Sequence, residues 1–416
     1  MSFTQLRRAL FTIHMWVGLV LGILLAALGL SGSLLVYDEA IANLFSPPPH
    51  AVTAGQPLPL TMIADIARRT AAEQGLDGVQ LQIVLPDAPG EAIAVRAGGI
   101  SPMGNGSAAG ASGMRGMAMS GGRRHEGGRE GRRAEGQAGA GGSRGGLQIF
   151  IDPVSGEVLG SRKALLPPIL VFAHQLHGNF LMGREGRSLV VGWLGVAMCV
   201  LGITGLVLWW PKRGQWKYAF GVRRAATGLR FHRELHGATG IWMFVVFMAV
   251  SVSGVAIAWP QTFGLNPPGF NPRALPGVKP PAETAGIRRI GATEAVIAAV
   301  AAVPGLEARS VTLPARRDQP ISVNYLSHDA VNASVLIDPY RGTVLAVRDS
   351  SGRFMSWMRP VHQGSLGPVW RFLVFLSGLV PALFVVTGIV MWAKKRRRRI
   401  PMTVLAGEVT ADEVAA

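Results

Sequence analysis

Histidine sits at or beside one end of each of four long apolar stretches in this chain, and the arrangement occurs twice. His14 is followed by Gly18 and then by Ser31-Gly32, and His236 by Gly240 and then by Ser253-Gly254, so both stretches share the pattern H-x3-G-x12-S-G. The other two stretches match each other: His174 and His177 precede Thr204-Gly205 and Trp209, and His362 precedes Thr387-Gly388 and Trp392. An ionisable side chain at membrane depth is costly and marks a functional site. Imidazoles on facing helices of a small bundle are what a bis-histidine haem requires.

The nine histidines are not equivalent. His50 lies in a proline loop, His125 in a low-complexity stretch and His328 in a hairpin turn, and each reads as a surface residue. His14 lies about one turn inside its span, and its repeat equivalent is His236, so the two share one depth. His232 and His236 are four residues apart and share a helical face, which makes His232 the alternate. On the opposite side His177 pairs with His362, with His174, three residues earlier, as alternate. Gly18 and Gly240 follow their histidines by one turn and leave room for a flat macrocycle, although close helix packing explains glycine equally well. For a single residue the plainer reading is an interfacial histidine bonded to lipid or backbone. The repetition on all four spans favours metal ligation for the set.

The elements that must position these residues are membrane helices. Residues 11–37, 188–210, 238–259 and 369–393 each reach the roughly 20 apolar residues needed to cross a hydrocarbon core. Residues 1–37 hold the N-terminus and an uncleaved first anchor, 211–237 a basic loop, and 394–416 a tail that begins Lys394-Lys395-Arg396-Arg397. Arg7 and Arg8, the basic loop and the tail fall on one side if both termini are cytoplasmic, which places residues 38–187 and 260–368 outside. The net charge of +17 is then mostly an orientation signal that also suits anionic lipid head groups, and it needs no nucleic-acid partner. Cys199, the single cysteine, lies in the second span and reads as a packing residue, with neither a disulfide framework nor an iron–sulfur site available.

The outer segments repeat as well. Ile151-Asp152-Pro153-x-x-Gly156 aligns with Ile337-Asp338-Pro339-x-x-Gly342, and each reads as strand, turn, strand. A helix-like stretch (59–74 and 292–302) and alternating strands (80–84 and 93–95; 309–313 and 321–325) precede each turn. The fold expected is a four-helix transmembrane bundle carrying two α+β modules, built as span–module–span twice. Residues 98–146, rich in Gly, Ser, Arg and Met, form an insert peculiar to the first unit and read as disordered. Met103, Met114, Met117, Met119 and His125 there offer soft donors, but no fixed geometry. There is no dinucleotide or P-loop signature, so electrons entering from the cytoplasm need a separate donor.

As a set these residues resemble the PepSY-associated transmembrane helix family, also called iron-regulated inner-membrane proteins, which includes periplasmic ferric-siderophore reductases. Arg8 with His14 and Gly18 carries the likeness, as do Leu176-His177 with Gly183-Arg184-Glu185-Gly186-Arg187, and Thr204-Gly205 through Trp209-Trp210. Leu235-His236 with Gly240-Ile241-Trp242, His362 through Thr387-Gly388 to Trp392, and the two Asp-Pro hairpins, which look like PepSY modules, complete it. It covers residues 6–396 apart from the insert. The resemblance implies an inner-membrane protein with two b-type haems, His14 and His236 being the inner ligands and His177 and His362 the outer ones. It further implies reduction of a ferric siderophore or other Fe(III) chelate in the periplasm, with electrons from a separate protein or quinol. The extra His174 and His232 depart from the simplest pattern. Two other classes compete: a non-redox protein whose modules bind peptides or proteases, and a metal or chelate permease. The near absence of carboxylates in the spans weighs against the permease.

Overall fold

The computed structural model describes residues 3–51, 53–86, 88, 90–98, 146–163, 166–263, 278, 289–326, 332–349 and 354–397. Nearly all of the insert lies outside these residues, as do His125, His328 and the end of the tail. In chain order the elements are α1 (Phe3–Val36), α2 (Asp38–Phe45), α3 (Leu60–Glu73), β1 (Leu81–Val84), β2 (Ile93–Ala97), β3 (Leu147–Ile151), β4 (Val158–Lys163), α4 (Pro168–Asn179) and α5 (Gly183–Gly186). A π turn over Arg187–Val191 leads into α6 (Gly192–Trp209). Then come α7 (Gly228–Ala258), α8 (Ala292–Ala302), β5 (Ala308–Leu313), β6 (Ile321–Leu326), β7 (Asn332–Ile337), β8 (Val344–Arg348), α9 (Met358–Gln363) and α10 (Pro368–Arg397).

The chain divides into two compact units, one of them formed by Pro49–Leu165 with Thr312–Arg316. In that unit β1, β2, β3 and β4 pair antiparallel in succession. Alternation along the strands buries Leu81, Ile83, Ile93, Val95, Ile149 and Ile151 against Ile63, Ala64 and Ala67 of α3. Each such aliphatic side chain stabilises the unit by about 1.5–3 kcal/mol. The β3–β4 turn is fixed by Asp152. Its Oδ1 accepts from the backbone N–H of Val154 (2.8 Å) and Ser155 (3.0 Å), and its Oδ2 from that of Thr53 (3.3 Å). Gly156 follows at φ 74°, a left-handed angle that a side chain would strain. These N–H donors, that of Ser155 first, hold the Asp152 carboxyl well below the ordinary carboxylate range, outweighing the effect of burial. A folded value below the unfolded one stabilises at neutral pH, and that contribution is lost as pH falls through and below about 4. The protection factors of the Val154, Ser155 and Gly156 amides, exchange rates corrected for the intrinsic pH dependence of amide exchange, are therefore expected to fall on acidification in the native protein. In Asp152→Asn they should already be low at neutral pH and much less pH-dependent.

The other unit contains the second copy of this motif together with the bundle. There α8 packs on β6, β7 and β8, which pair antiparallel, and Asp338 Oδ1 accepts from Tyr340 (2.8 Å) and Arg341 (3.2 Å).

Among the described residues four helices are long and apolar enough to cross a membrane: Thr4–Val36, Arg187–Trp209, Gly228–Ala258 and Pro368–Arg396. Helix α1 packs against α6 and α10, and α7 packs against the same two, so α1 and α7 face each other across the bundle. Helices α1 and α10 approach closely at Gly29 and Gly378, where a Cβ on either would strike the other's backbone oxygen, and Ser33 Oγ donates to Phe375 O at 2.7 Å. Two short helices lean on this frame, α4 on α1 and α9 on α7. The third helix begins ten residues ahead of its apolar run, at Gly228. Its first turns are polar and are held by Glu234, which binds Arg223 Nε at 2.8 Å and Arg230 Nε at 2.9 Å. His232 and His236 both lie within this helix, as their shared helical face requires.

Candidate functional site

At the end of the bundle that carries Arg7, the 210–227 loop and Lys394-Lys395, the rings of His14 on α1 and His236 on α7 face one another. Their centroids are 6.2 Å apart and their planes are inclined at 75°. Each is held by a threonine of the neighbouring helix: His14 Nδ1 lies 2.9 Å from Thr204 Oγ1, and His236 Nδ1 lies 2.7 Å from Thr387 Oγ1. The threonine hydroxyls spend their protons on helix carbonyls, Thr204 on Val200 O (2.7 Å) and Thr387 on Leu383 O (2.8 Å). They can then only accept from the imidazole, so Nδ1 carries the proton and Nε2 presents a lone pair.

A second pair closes the opposite end. His177 on α4 and His362 on α9 have centroids 5.9 Å apart and planes inclined at 36°. His177 Nδ1 donates to Leu28 O on α1 and His362 Nδ1 to Val250 O on α7, both at 2.9 Å. A carbonyl is an acceptor only, so the same tautomer results, again freeing Nε2. Burial above all pushes both imidazoles down, with further lowering from His174 at His177 and from His177 and Arg359 at His362, which reaches about 4. Both are neutral at ordinary pH, the form that binds metal. The Ser-Gly pairs of the repeat make room for these rings. A Cβ on Gly32 would lie 2.7 Å from His177 Cε1, and one on Gly254 would lie 2.9 Å from His362 Cε1. Ser31 and Ser253 donate their hydroxyls back to Ala27 O (2.7 Å) and Ala249 O (2.6 Å), and Ser253 Oγ also lies 3.4 Å from His362 Nδ1.

His14 precedes Leu28 by 14 residues and Gly32 by 18, so the pairs lie about 21–27 Å apart along the helix, near the two faces of a hydrocarbon layer. Leu25, Leu28, Leu194 and Ala197 pack between them. The remaining candidates go elsewhere. His174 Nε2 lies 3.5 Å from Asp38 Oδ2, and His232 stacks edge-on against Phe231 with its Nδ1 buried and without a hydrogen-bond partner among the described residues. His50 is exposed. Gly18 and Gly240 do not clear space for a ring. A Cβ there would meet Leu201 at 3.8 Å and Phe384 at 3.7 Å, ordinary helix packing. Trp209 and Trp242 also do more than sit at an interface: their indole N–H groups pin the basic loop at Ala219 O (3.0 Å) and Phe220 O (2.8 Å).

Each pair supplies two imidazoles. Among the described residues no group of three or more His, Cys, Asp or Glu side chains is placed to hold a metal ion. With two neutral imidazoles and their freed Nε2 atoms facing across about 6 Å between ring centres, each pair would suit a haem, held by one histidine from each side.

No curated protein matches the chain. The family described as the PepSY-associated TM region matches residues 11–395. That span takes in both histidine pairs, the threonines and glycines that seat them, and both Asp-Pro hairpins, so the chain belongs to the PepSY-associated TM family.

Proposed function

We propose that this membrane protein is a di-haem b electron carrier that passes electrons across the inner membrane to a ferric siderophore or similar Fe(III) chelate in the periplasm, releasing Fe(II) for uptake. The observation that carries this reading is the pair of facing imidazoles, 6.2 Å and 5.9 Å between ring centres, at opposite ends of one apolar bundle. When bound, the haems supply one-electron redox centres at the two depths, which an apolar layer otherwise denies to a charge. His14 and His236 would hold one, and His177 and His362 the other. The threonine and carbonyl partners keep Nδ1 protonated and the rings aimed, so little reorganisation is needed on binding. The leucine layer excludes water between the pairs and limits side reactions. The balance is simple: one electron leaves a separate reductant, and one Fe(III) in its chelate becomes Fe(II), which oxygen donors hold less tightly.

The full chain purified from an overexpressing strain should show dithionite-reduced b-type bands at two haems per chain. His14→Ala or His362→Ala should remove half of that absorbance, and added ferric chelate should reoxidise the bands. A stable, colourless protein would sink the reading. A coloured one that no ferric chelate reoxidises would retain the haems and exclude the substrate.

A further inference from the structure

Three buried side-chain atoms have no hydrogen-bond partner among the described residues, His174 Nε2, Asn179 Oδ1 and His232 Nδ1, and each lies within four residues of His177 or His236. Buried polar groups are nearly always paired, so such an atom marks a place where a group from outside the chain belongs. His174 has Asp38 Oδ2 at 3.5 Å to answer it, and Asn179 ends α4. His232 has no such neighbour: Glu234, the carboxylate nearest to it along α7, is bound by Arg223 Nε at 2.8 Å and Arg230 Nε at 2.9 Å. His232 stands one turn, about 6 Å, from His236 on the same face of α7, towards the polar start of the helix. The repeat folds without a polar atom there, since the equivalent residue ahead of His14 on α1 is Leu10. Packing therefore does not account for the imidazole. A haem carries two ionised carboxylates on one edge, and burying an anion among the apolar residues beyond Gly240 would be costly. The polar turn that holds His232 is the favourable place for that edge.

We infer that His232 Nδ1–H donates to a haem carboxylate at the His14/His236 centre, a role that rests on the function proposed above. A hydrogen bond to a carboxylate is charge-assisted and stronger than one between neutral groups. It holds the edge of the macrocycle while His14 and His236 hold the iron. It also draws negative charge away from the centre, which favours the reduced state.

The test compares wild type, His232→Leu and His232→Asn as purified full chains, by haem transfer to excess apomyoglobin and by optical redox titration. Leucine copies the repeat equivalent Leu10, and asparagine keeps an N–H close to the position of Nδ1. His14→Ala and His362→Ala assign the bands to the two centres, and the His177/His362 centre reports that each variant is folded. In His232→Leu, haem should leave the His14/His236 centre about tenfold faster, the worth of a hydrogen bond to a charged group. The oxidised-to-reduced ratio of that centre should rise about threefold at fixed poise, about 28 mV for one electron. His232→Asn should restore most of both, and the other centre should not change. Faster release with an unmoved potential and no rescue by asparagine would make His232 a packing residue and overturn the inference. So would wild-type release and potential combined with reduction by duroquinol slowed at least fivefold, which would give the ring to a quinol donor. Two haems per chain in His232→Leu with every value unchanged would overturn the inference and leave the haems standing. A wild type without haem would overturn the proposed function itself.

Discussion

Gly254→Leu is expected to abolish the α4/α9 centre while leaving the His14/His236 centre intact. The ring of His362 lies on α7 where residue 254 has no side chain, and a Cβ built there would come within 2.9 Å of Cε1 and 3.3 Å of Nδ1. The ring cannot slide away and keep its place, because Nδ1 is tied to Val250 O one turn earlier on the same helix. Val250 O is also the carbonyl that an α-helix bonds to the N–H of residue 254, so the glycine and the hydrogen bond form one seat. Overpacking costs about 1–3 kcal/mol, and the cheapest relief is rotation of His362 out of the pair. Gly32→Leu should act in the same way through His177, whose Cε1 would lie 2.7 Å from the new Cβ. Haem per chain should fall from two to one in either variant, and the remaining bands should vanish when His14→Ala is added. Gly388→Ala is the control: nothing lies within 4 Å of its Cβ, and alanine gains about 1 kcal/mol of helix propensity. A folded Gly254→Leu protein that still binds two haems would refute this account of the Ser-Gly pairs.

That role of glycine marks the boundary of what was legible in the sequence. The histidines could be paired because a repeat supplies symmetry: equivalent residues in equivalent spans share a depth, whatever the contacts. The glycines could not be assigned in that way. Gly18 and Gly240 follow their histidines by one turn and invite the reading of cleared space, yet they only pack against Leu201 and Phe384. Gly32 and Gly254 lie 18 residues from His14 and His236 and instead serve His177 and His362, which arrive from other helices. Spacing along a chain reports neighbours on one helix. It does not report what a second helix lays against the same face.

The fold divides along the same line. Period-two alternation and the Asp-Pro-x-x-Gly turns located the hairpins to within a residue or two, because register and turn are local properties. The apolar runs located four spans for the same reason. The start of α7 escaped them, since its first turns carry Arg230, His232, Arg233 and Glu234 and are stabilised by ion pairs instead of apolar area. The short helix α9 escaped them too, with only six residues and a proline inside. It is the lean of α9 on α7 that brings His362 to His177.

Thr204→Val and Thr387→Val should each weaken haem retention at the His14/His236 centre by about 10–100-fold, the range typical of removing the hydrogen-bond partner of a ligating histidine. Valine keeps the shape of threonine and removes only the hydroxyl. Nδ1–H of the facing imidazole is then left in an apolar bundle without its acceptor, at a cost of about 1–3 kcal/mol. The ring also loses what fixes its tautomer and its tilt, so a share of molecules presents a protonated Nε2, which binds no metal. The two threonines act on different histidines of one pair, His14 and His236, so the double variant should lose haem faster than either single one. Serine keeps the oxygen that accepts from Nδ1, and Thr204→Ser should restore most of the retention. The measurement is the rate of haem transfer to excess apomyoglobin, followed at the two centres separately. The His177/His362 centre is held by the backbone carbonyls of Leu28 and Val250, with Ser253 Oγ 3.4 Å from His362, and neither threonine touches it, so it provides the internal standard. If the valine variants release haem from the two centres at wild-type rates, the threonines are helix-packing residues and the tautomer argument fails for this end of the bundle.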